Sequence, residues 1–104
     1  MAKRKVSWLR EAELDMFEIT RYYTQRNKSK TYSTKLYREI KEELRTLDFS
    51  IALPQRTSVE NLFYFTYNHI SVFFSFENNT IFVKIVIDDR RDPKSINKLL
   101  LKSD

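Results

Sequence analysis

Three basic side chains near the end of the last apolar run are the residues of this sequence best suited to chemistry. Arg90 and Arg91 close that run, and Lys84 lies within it. Guanidinium and ammonium groups bind phosphates and carboxylates, and arginine adds a planar fork of hydrogen-bond donors. We therefore predict that these residues contact an anionic target or a protein partner. The alternatives are an ion pair between Arg90 and the aspartates at positions 88, 89 and 92, and a solvated strand edge for Lys84.

Aromatic side chains accompany these cations at alternate positions of the same runs. Tyr64, Phe73 and Phe82 fall on the face that also carries Lys84. Aromatic rings can stack on nucleic-acid bases, and aromatic patches with polar rims mark interaction sites. The three rings are therefore predicted partner-binding residues, with packing under a C-terminal segment or a partner helix as the alternative. His69 is a candidate general base by residue type, but its turn position favours a solvated residue.

Other catalytic and cofactor chemistries lack the residues that they need. The chain has no Cys and one His, which excludes a thiolate or multi-histidine metal site within one chain. The sequence also has no paired carboxylates, Gly-rich phosphate loop or nucleophile elbow. No metal or other cofactor is predicted, and whether the chain is an enzyme stays open.

The segment 61–93, which carries the candidate residues, has the pattern of a three-stranded antiparallel meander. Asn68-His69 and Asn78-Asn79 separate three runs rich in apolar and aromatic residues. Such breaks predict tight hairpin turns, which need positive φ. Asn tolerates positive φ best after Gly, and this chain has no Gly.

Counting outward from each turn predicts the strand registers. The first turn pairs Tyr67 with Ile70, Phe65 with Val72 and Phe63 with Phe74; the second pairs Phe76 with Ile81, Phe74 with Val83, Val72 with Ile85 and Ile70 with Ile87. These residues form one apolar face that is predicted to pack on the helices. The same alternation puts Lys84, Val86, Asp88 and Arg90 on the opposite face, where a partner or target is expected to dock.

Two helices are predicted before the meander. The first is indicated over about 9–26 by the helical spacing of Leu9, Ala12, Met16, Ile19 and Tyr23. The second is indicated over about 30–47 by the helical spacing of Tyr32, Leu36, Ile40, Leu44 and Leu47. Ser29 is the predicted N-cap of the second helix. Residues 3–8 predict an edge strand with Trp8 as a packing residue, residues 48–60 an irregular segment around Pro54, and residues 94–102 a short C-terminal helix.

These elements predict a single domain over 1–104 of the α+β class. Its order is β-α-α-β-β-β-(α), with an antiparallel sheet and the N-terminal helical hairpin packed on one face. The net charge is +5, of which residues 1–53 carry +4, and this favours an anionic partner. We find no signal peptide and no apolar run long enough to span a membrane. The absence of Cys suits a reducing cytoplasm.

Three segments carry a resemblance to a known family. KVSWLREAELDMFEITRYY resembles a first strand and helix, YREIKEELRTL a second helix before a loop at Pro54, and NLFYFTYNHISVFFSFENNTIFVKIVIDDRRDPKSI a three-strand ending with Arg-Asp-Pro. In this order, over about 90 of the 104 residues, they resemble the RelE/ParE superfamily of type II toxin–antitoxin toxins. Arg91-Asp92-Pro93 is similar to the continuation found in the ParE branch.

The resemblance implies a bacterial, cytoplasmic toxin of the plasmid-stabilisation type, held inactive by a cognate antitoxin. ParE-like members poison DNA gyrase without chemistry of their own, whereas RelE-like members cleave mRNA in the ribosomal A site. Arg90 matches the Arg that the family shares at the end of the last strand. A ParE-like toxin is therefore the primary hypothesis. The alternatives are a ribosome-dependent mRNA endonuclease and a degenerate, non-toxic member; a homodimer is left open.

Departures from the nuclease pattern lower the second hypothesis. Phe63 and Ser71 lie in stretches where the family commonly carries an Arg, and no Tyr follows Tyr67. Metal-free RNA cleavage needs a base, an acid and stabilisation of the charge on phosphorus. The basic residues near the end of the chain supply only the last of these.

Overall fold

The computed structural model describes residues 5–46, 55–57 and 59–91, which form two helices and a five-stranded sheet. The strands are β1 (Lys5–Trp8), β2 (Gln55–Arg56), β3 (Phe63–Tyr67), β4 (Ile70–Glu77) and β5 (Thr80–Asp88), and the helices are α1 (Arg10–Asn27) and α2 (Thr31–Arg45). Both helices precede the three long strands. The predicted α+β class and order of elements are therefore confirmed over these residues.

The sheet has the strand order β1-β5-β4-β3-β2. β3, β4 and β5 form the predicted antiparallel meander, and β1 lies at an edge as expected. β1 runs parallel to β5, with Val6 opposite Ile81. The chain between these strands includes both helices and β2, β3 and β4, which gives the long connection that parallel pairing needs. The sheet is thus mixed, and the expectation of a wholly antiparallel sheet is wrong at this edge. The short β2, which pairs with β3, lies in a segment expected to be irregular.

The helices bury most of the apolar stripes that their spacing predicts. The buried members are Ala12, Met16, Ile19 and Tyr23 on α1 and Leu36, Ile40 and Leu44 on α2. They form one cluster with residues of β4 and β5, so removal of these stripes from water holds the hairpin on the sheet. Leu9 departs from the prediction because it precedes α1 as its N-cap and is 40% exposed.

Asparagines provide the left-handed backbone of both hairpin turns, as predicted. Asn68 has a φ of 56°, and Asn78 and Asn79 have φ values of 50° and 62°. Lys28 has a φ of 53° at the C-cap of α1, a position where Gly is preferred. Ser29 accepts a hydrogen bond from the backbone N–H of Thr31 over 3.1 Å, although the N-cap position of α2 belongs to Lys30.

A β-bulge in β5 overturns half of the predicted register. The β3–β4 pairs are as predicted, and so are the β4–β5 pairs as far as Phe74–Val83, but Lys84 then lies opposite no residue. The pairs beyond it are Phe73–Ile85, Val72–Val86, Ser71–Ile87 and Ile70–Asp88. One extra residue reverses the alternation of faces. Val86 therefore joins the helix-side core, whereas Ile85 and Ile87 belong to a second cluster with Leu62.

Some sequence predictions fall on residues outside those that the structure describes. They are the C-terminal helix over 94–102, the loop at Pro54, the end of the second helix at Leu47 and the Asp92-Pro93 pair.

Candidate functional site

The end of β5 brings the candidate cation Arg90 to a group of buried polar side chains. Because the bulge reverses the alternation, the Asp88 carboxylate contacts Tyr23 of α1 and is 3% exposed. The Arg90 guanidinium follows it, and its Nη2 donates to the Tyr23 hydroxyl over 3.4 Å. The predicted placement of Asp88 and Arg90 on the face opposite the helices is therefore wrong.

Three donors converge on the Asp88 carboxylate. The Tyr23 hydroxyl donates to Oδ2 over 2.7 Å. Nδ1 of His69 lies 3.0 Å from Oδ1, and the backbone N–H of Arg90 donates to Oδ1 over 3.0 Å. Burial opposes ionisation, but these hydrogen bonds and the His69 ring outweigh it, so the pKa of Asp88 lies below its ordinary value. Asp88 is thus ionised at neutral pH and joins α1, the β3–β4 turn and the end of β5.

His69 extends this network to α2. Because the ionised Asp88 only accepts hydrogen bonds, Nδ1 of His69 carries a proton. Nε2 lies 3.0 Å from the Tyr32 hydroxyl, which donates to a neutral ring and accepts from a protonated one. The His69 side chain is 13% exposed, so it is not the solvated turn residue that its sequence position favours. The order carboxylate, imidazole, hydroxyl resembles that of a nucleophile-activating relay.

Asp89 is also turned into the protein. Its Oδ2 accepts a hydrogen bond from the Ser71 hydroxyl over 3.0 Å, and its backbone N–H donates to the His69 carbonyl over 2.8 Å. Its Oδ1 is buried and has no hydrogen-bond partner. Burial, reinforced by the Asp88 charge, raises the pKa of Asp89 above its ordinary value despite the bond from Ser71. The Asp88 carboxylate is therefore occupied by hydrogen bonds, and the Asp89 carboxylate is turned into the protein.

The arginines at this end of the molecule are exposed and lie against tyrosine side chains. The Arg91 guanidinium carbon is 4.0 Å from the centre of the Tyr22 ring, and Nη1 of Arg26 donates to the Tyr22 hydroxyl over 3.3 Å. The rings of Tyr22 and Tyr23 pack edge to face with centres 4.8 Å apart. Within the described ranges, no carboxylate lies within 4.0 Å of the guanidinium of Arg26, Arg90 or Arg91.

The other predicted contact residues are spread over the sheet. Lys84 is the exposed residue of the bulge. Phe73 is fully buried and therefore offers no surface to a partner in this conformation. Tyr64 stacks on Phe73 with ring centres 5.4 Å apart and donates a hydrogen bond to Gln55. Phe82 is half-buried. The structure thus leaves Tyr64 and Phe82 as the accessible part of the predicted aromatic patch.

Sequence reasoning missed the tyrosines and the arginine of α1 that complete the site. Helical spacing predicts a packed ring for Tyr23, and the ring is buried, but its hydroxyl also binds Asp88. Tyr22, Tyr32 and Arg26 were given no site role. One sequence feature could have indicated them: the residues at the end of α1 and the start of α2 lie on either side of the same short link. A helical hairpin brings such residues to one end of the domain.

A groove between α1 and α2 is a second surface feature, with a volume of about 480 Å³. Its lining includes Trp8, Phe17 and Tyr37, and Phe17 is 60% exposed while Tyr37 is 41% exposed. Trp8 is half-buried against the core, in line with its predicted packing role. Exposed apolar side chains grouped in a groove are typical of surfaces that bind another protein.

Comparisons with known proteins assign no family to the chain. No model of a protein family matches the sequence, and no significant match exists among curated proteins. Neither helix within residues 5–46 is long and apolar enough to cross a membrane, and no other helix occurs in the described ranges. The same ranges contain no group of three or more His, Asp or Glu residues that could hold a metal ion.

Proposed function

We propose that this chain is the toxin of a type II toxin–antitoxin module of the plasmid-stabilisation kind. It is a ParE-like growth inhibitor that acts in the cytoplasm and is neutralised by a cognate antitoxin. The observation that carries the proposal is the order of elements: an edge strand, a helical hairpin and a meander whose last strand is followed by Arg90 and Arg91. The resemblance in sequence implies this same order.

The proposed toxin acts by binding and carries out no reaction. A base that acts directly on a substrate hydroxyl needs a ring nitrogen within reach of it, and in this structure both nitrogens of His69 bind protein groups, those of Asp88 and Tyr32. Phe63 and Ser71 are uncharged where a nuclease of the resembled family carries arginine. These features favour an inhibitor over the ribosome-dependent mRNA endonuclease.

The proposed target is DNA gyrase, and the proposed contacts come from the exposed cations. Arg90 and Arg91 lie at the end of β5 with no carboxylate partner among the described residues, and Lys84 protrudes at the bulge. Exposed cations of this kind contribute to association with acidic surfaces. The antitoxin is proposed to cover the groove at Phe17 and Tyr37, because exposed apolar side chains gain most from being covered.

The proposal is tested by inducing the chain in a bacterial host with and without the product of the neighbouring reading frame. We expect growth arrest that this product relieves, an intact mRNA pool, and inhibition of gyrase supercoiling by the purified protein. Codon-phased cleavage of mRNA would overturn the proposal in favour of the endonuclease. Normal growth with the folded protein present would identify a degenerate member.

A further inference from the structure

Three arginines from two distant parts of the chain meet on one pair of tyrosines. Arg26 lies in the last turn of α1, whereas Arg90 and Arg91 follow β5. Arg26 and Arg91 both contact Tyr22, Arg90 contacts the hydroxyl of Tyr23, and the two rings touch. We call Arg26, Arg90 and Arg91 the arginine site. Because each guanidinium is held by a ring or a hydroxyl, the three charges stay together at the surface.

Two neighbouring acids that the structure describes, Asp88 and Asp89, form no ion pair with this site. The Asp88 oxygens are taken by Tyr23, His69 and the backbone N–H of Arg90, and the Asp89 carboxylate is hydrogen-bonded to Ser71. The link between the helices adds two exposed cations, Lys28 and Lys30. Like charges held close together repel one another, and a bound anion relieves that repulsion.

We propose that the arginine site binds the phosphate groups of a nucleic-acid backbone. A guanidinium presents a planar fork of donors that matches two oxygens of a phosphate, and three adjacent forks offer more donors than a single carboxylate can accept. A nucleic-acid strand supplies a series of phosphates to such a surface. The Tyr22 ring already carries the Arg91 guanidinium, so it is not open for base stacking on that face. Contacts to phosphate carry no base information, so this binding is independent of base sequence.

This inference goes beyond the proposed function and does not depend on it. The measurement uses the purified full-length chain, and neither growth arrest nor gyrase activity is a readout. The probe is a fluorescein-labelled single-stranded oligonucleotide of about 12 nucleotides, a length within the usual site sizes for single-strand binding. It is prepared as RNA and as DNA of the same sequence. Fluorescence anisotropy gives Kd at a series of salt concentrations.

The test compares two double variants that remove the same charge. We expect Arg26→Gln with Arg91→Gln to weaken binding at least about tenfold at low salt. The salt dependence on a single strand is about 0.7 per neutralised phosphate, so the slope of log Kd against log salt should shrink by about 1.4. The control, Lys35→Gln with Arg38→Gln, removes two exposed cations of α2 and should change Kd less than about twofold. Circular dichroism checks that both variants are folded.

Each outcome of this experiment decides for or against the site. Equal affinity for RNA and DNA supports recognition through phosphate alone, and tighter binding of RNA supports the same site with a sugar contact added. Equal losses in the two double variants would overturn the proposal, because the net charge of the protein and not the arginine site would then bind the strand. It would also be overturned by no binding at low salt, or by an acidic peptide that binds as tightly as the oligonucleotide.

Discussion

The hydrogen bonds that Asp88 accepts explain why the neighbouring Arg90 forms no ion pair with it. A buried carboxylate needs several donors, and a guanidinium would be the strongest of them. Here a hydroxyl, an imidazole and a backbone N–H fill its oxygens instead. The Arg90 guanidinium is therefore left to contact the Tyr23 hydroxyl. The alternative expected from the sequence, a structural ion pair between Arg90 and a flanking aspartate, is not formed with Asp88 or Asp89.

Asp88→Asn should lower the free energy of unfolding at neutral pH and lose this effect in acid. The amide places an NH₂ group among hydrogen bonds that point toward oxygen, so we expect a cost of roughly 1–3 kcal/mol. Because the pKa of Asp88 is lowered from 3.8, the stability from its ionised form is complete above that value and is lost as pH falls through the folded-state pKa. Urea unfolding of both proteins over this pH range measures the difference.

Asp89→Asn is a matched control that should show the opposite trend. Burial raises the pKa of Asp89 above 3.8, so its charge costs stability above the folded-state pKa, and this cost vanishes as pH falls to 3.8. The variant should gain stability relative to the original protein near neutral pH and lose that gain in acid. The same pH trend in both variants would contradict the network described here.

Arg90→Ala should weaken the proposed growth arrest while leaving the protein folded. The guanidinium is exposed and, among the described residues, makes one long hydrogen bond, to Tyr23, so its loss should change the free energy of unfolding by no more than about 0.5 kcal/mol. A contact residue of the target surface should cost more than about 1 kcal/mol of binding. Growth curves after graded induction, with Arg38→Ala on α2 as the control, separate the two effects. Unchanged toxicity would exclude Arg90 from the target surface.

At the scale of the elements, the bulge in β5 requires a partner from α1. The Asp15 carboxylate accepts a hydrogen bond from the backbone N–H of Val86 over 3.1 Å, just beyond the extra residue Lys84. Burial raises the pKa of Asp15, although the Val86 bond lowers it. Paired strands satisfy most buried N–H groups, but a bulge interrupts the ladder. A side chain of the helix therefore completes the sheet at this point.

Asp15→Ala should destabilise the protein because it leaves the Val86 N–H buried without an acceptor. We expect a loss of roughly 1–3 kcal/mol in the free energy of unfolding. Asp15→Asn keeps an acceptor oxygen and should recover most of that loss. Urea unfolding gives the stability, and hydrogen exchange of the Val86 amide reports on the bond itself. Glu18→Ala, an exposed change on the same helix, is the control. Slow exchange at Val86 in Asp15→Ala would show that another group satisfies this N–H.

Lys28→Gly should stabilise the end of α1. Lys28 holds a φ of 53° at the C-cap, where the left-handed backbone costs little for glycine. We expect a gain of about 0.5–1 kcal/mol in the free energy of unfolding, measured by thermal and urea denaturation. Asn27→Gly, one residue earlier, lies within the helix and should not stabilise the protein. A gain from both changes would show that relief of the left-handed backbone at Lys28 is not the cause.

The sequence predicted those elements that repeat a pattern and missed those that interrupt one. Helical spacing located α1 and α2, and Asn68 and Asn78-Asn79 located the hairpin turns. The bulge at Lys84 was missed because alternation can be counted through residues 80–88 without a break. Its one signal was a charged residue inside an apolar strand. The candidate site depends on that bulge, so Arg90 was found as a residue but placed on the wrong side of the sheet.

At the scale of the whole molecule, two surfaces of different chemistry share the helical hairpin. The groove between α1 and α2 is lined by aromatic side chains such as Phe17 and Tyr37. The arginine site lies where the same hairpin meets the end of β5. Apolar burial gives most of the affinity in stable complexes, whereas exposed charge mainly guides association. A long-lived complex with the proposed antitoxin therefore suits the groove, and contact with the proposed target suits the cations.

If the proposed function holds, Phe17→Ser and Arg90→Ala should separate neutralisation by the antitoxin from toxicity. Phe17 is 60% exposed, so its replacement should spare the fold, and removal of an apolar anchor should weaken antitoxin binding at least about tenfold. The Phe17→Ser protein should still arrest growth, but it should require more antitoxin for rescue. Arg90→Ala should arrest growth weakly and bind the antitoxin as before. Calorimetry with the purified antitoxin and growth rescue by graded antitoxin expression measure the two properties. Loss of both properties in both variants would mean that one surface binds both the antitoxin and the target. An antitoxin bound over the arginines would then block the target directly.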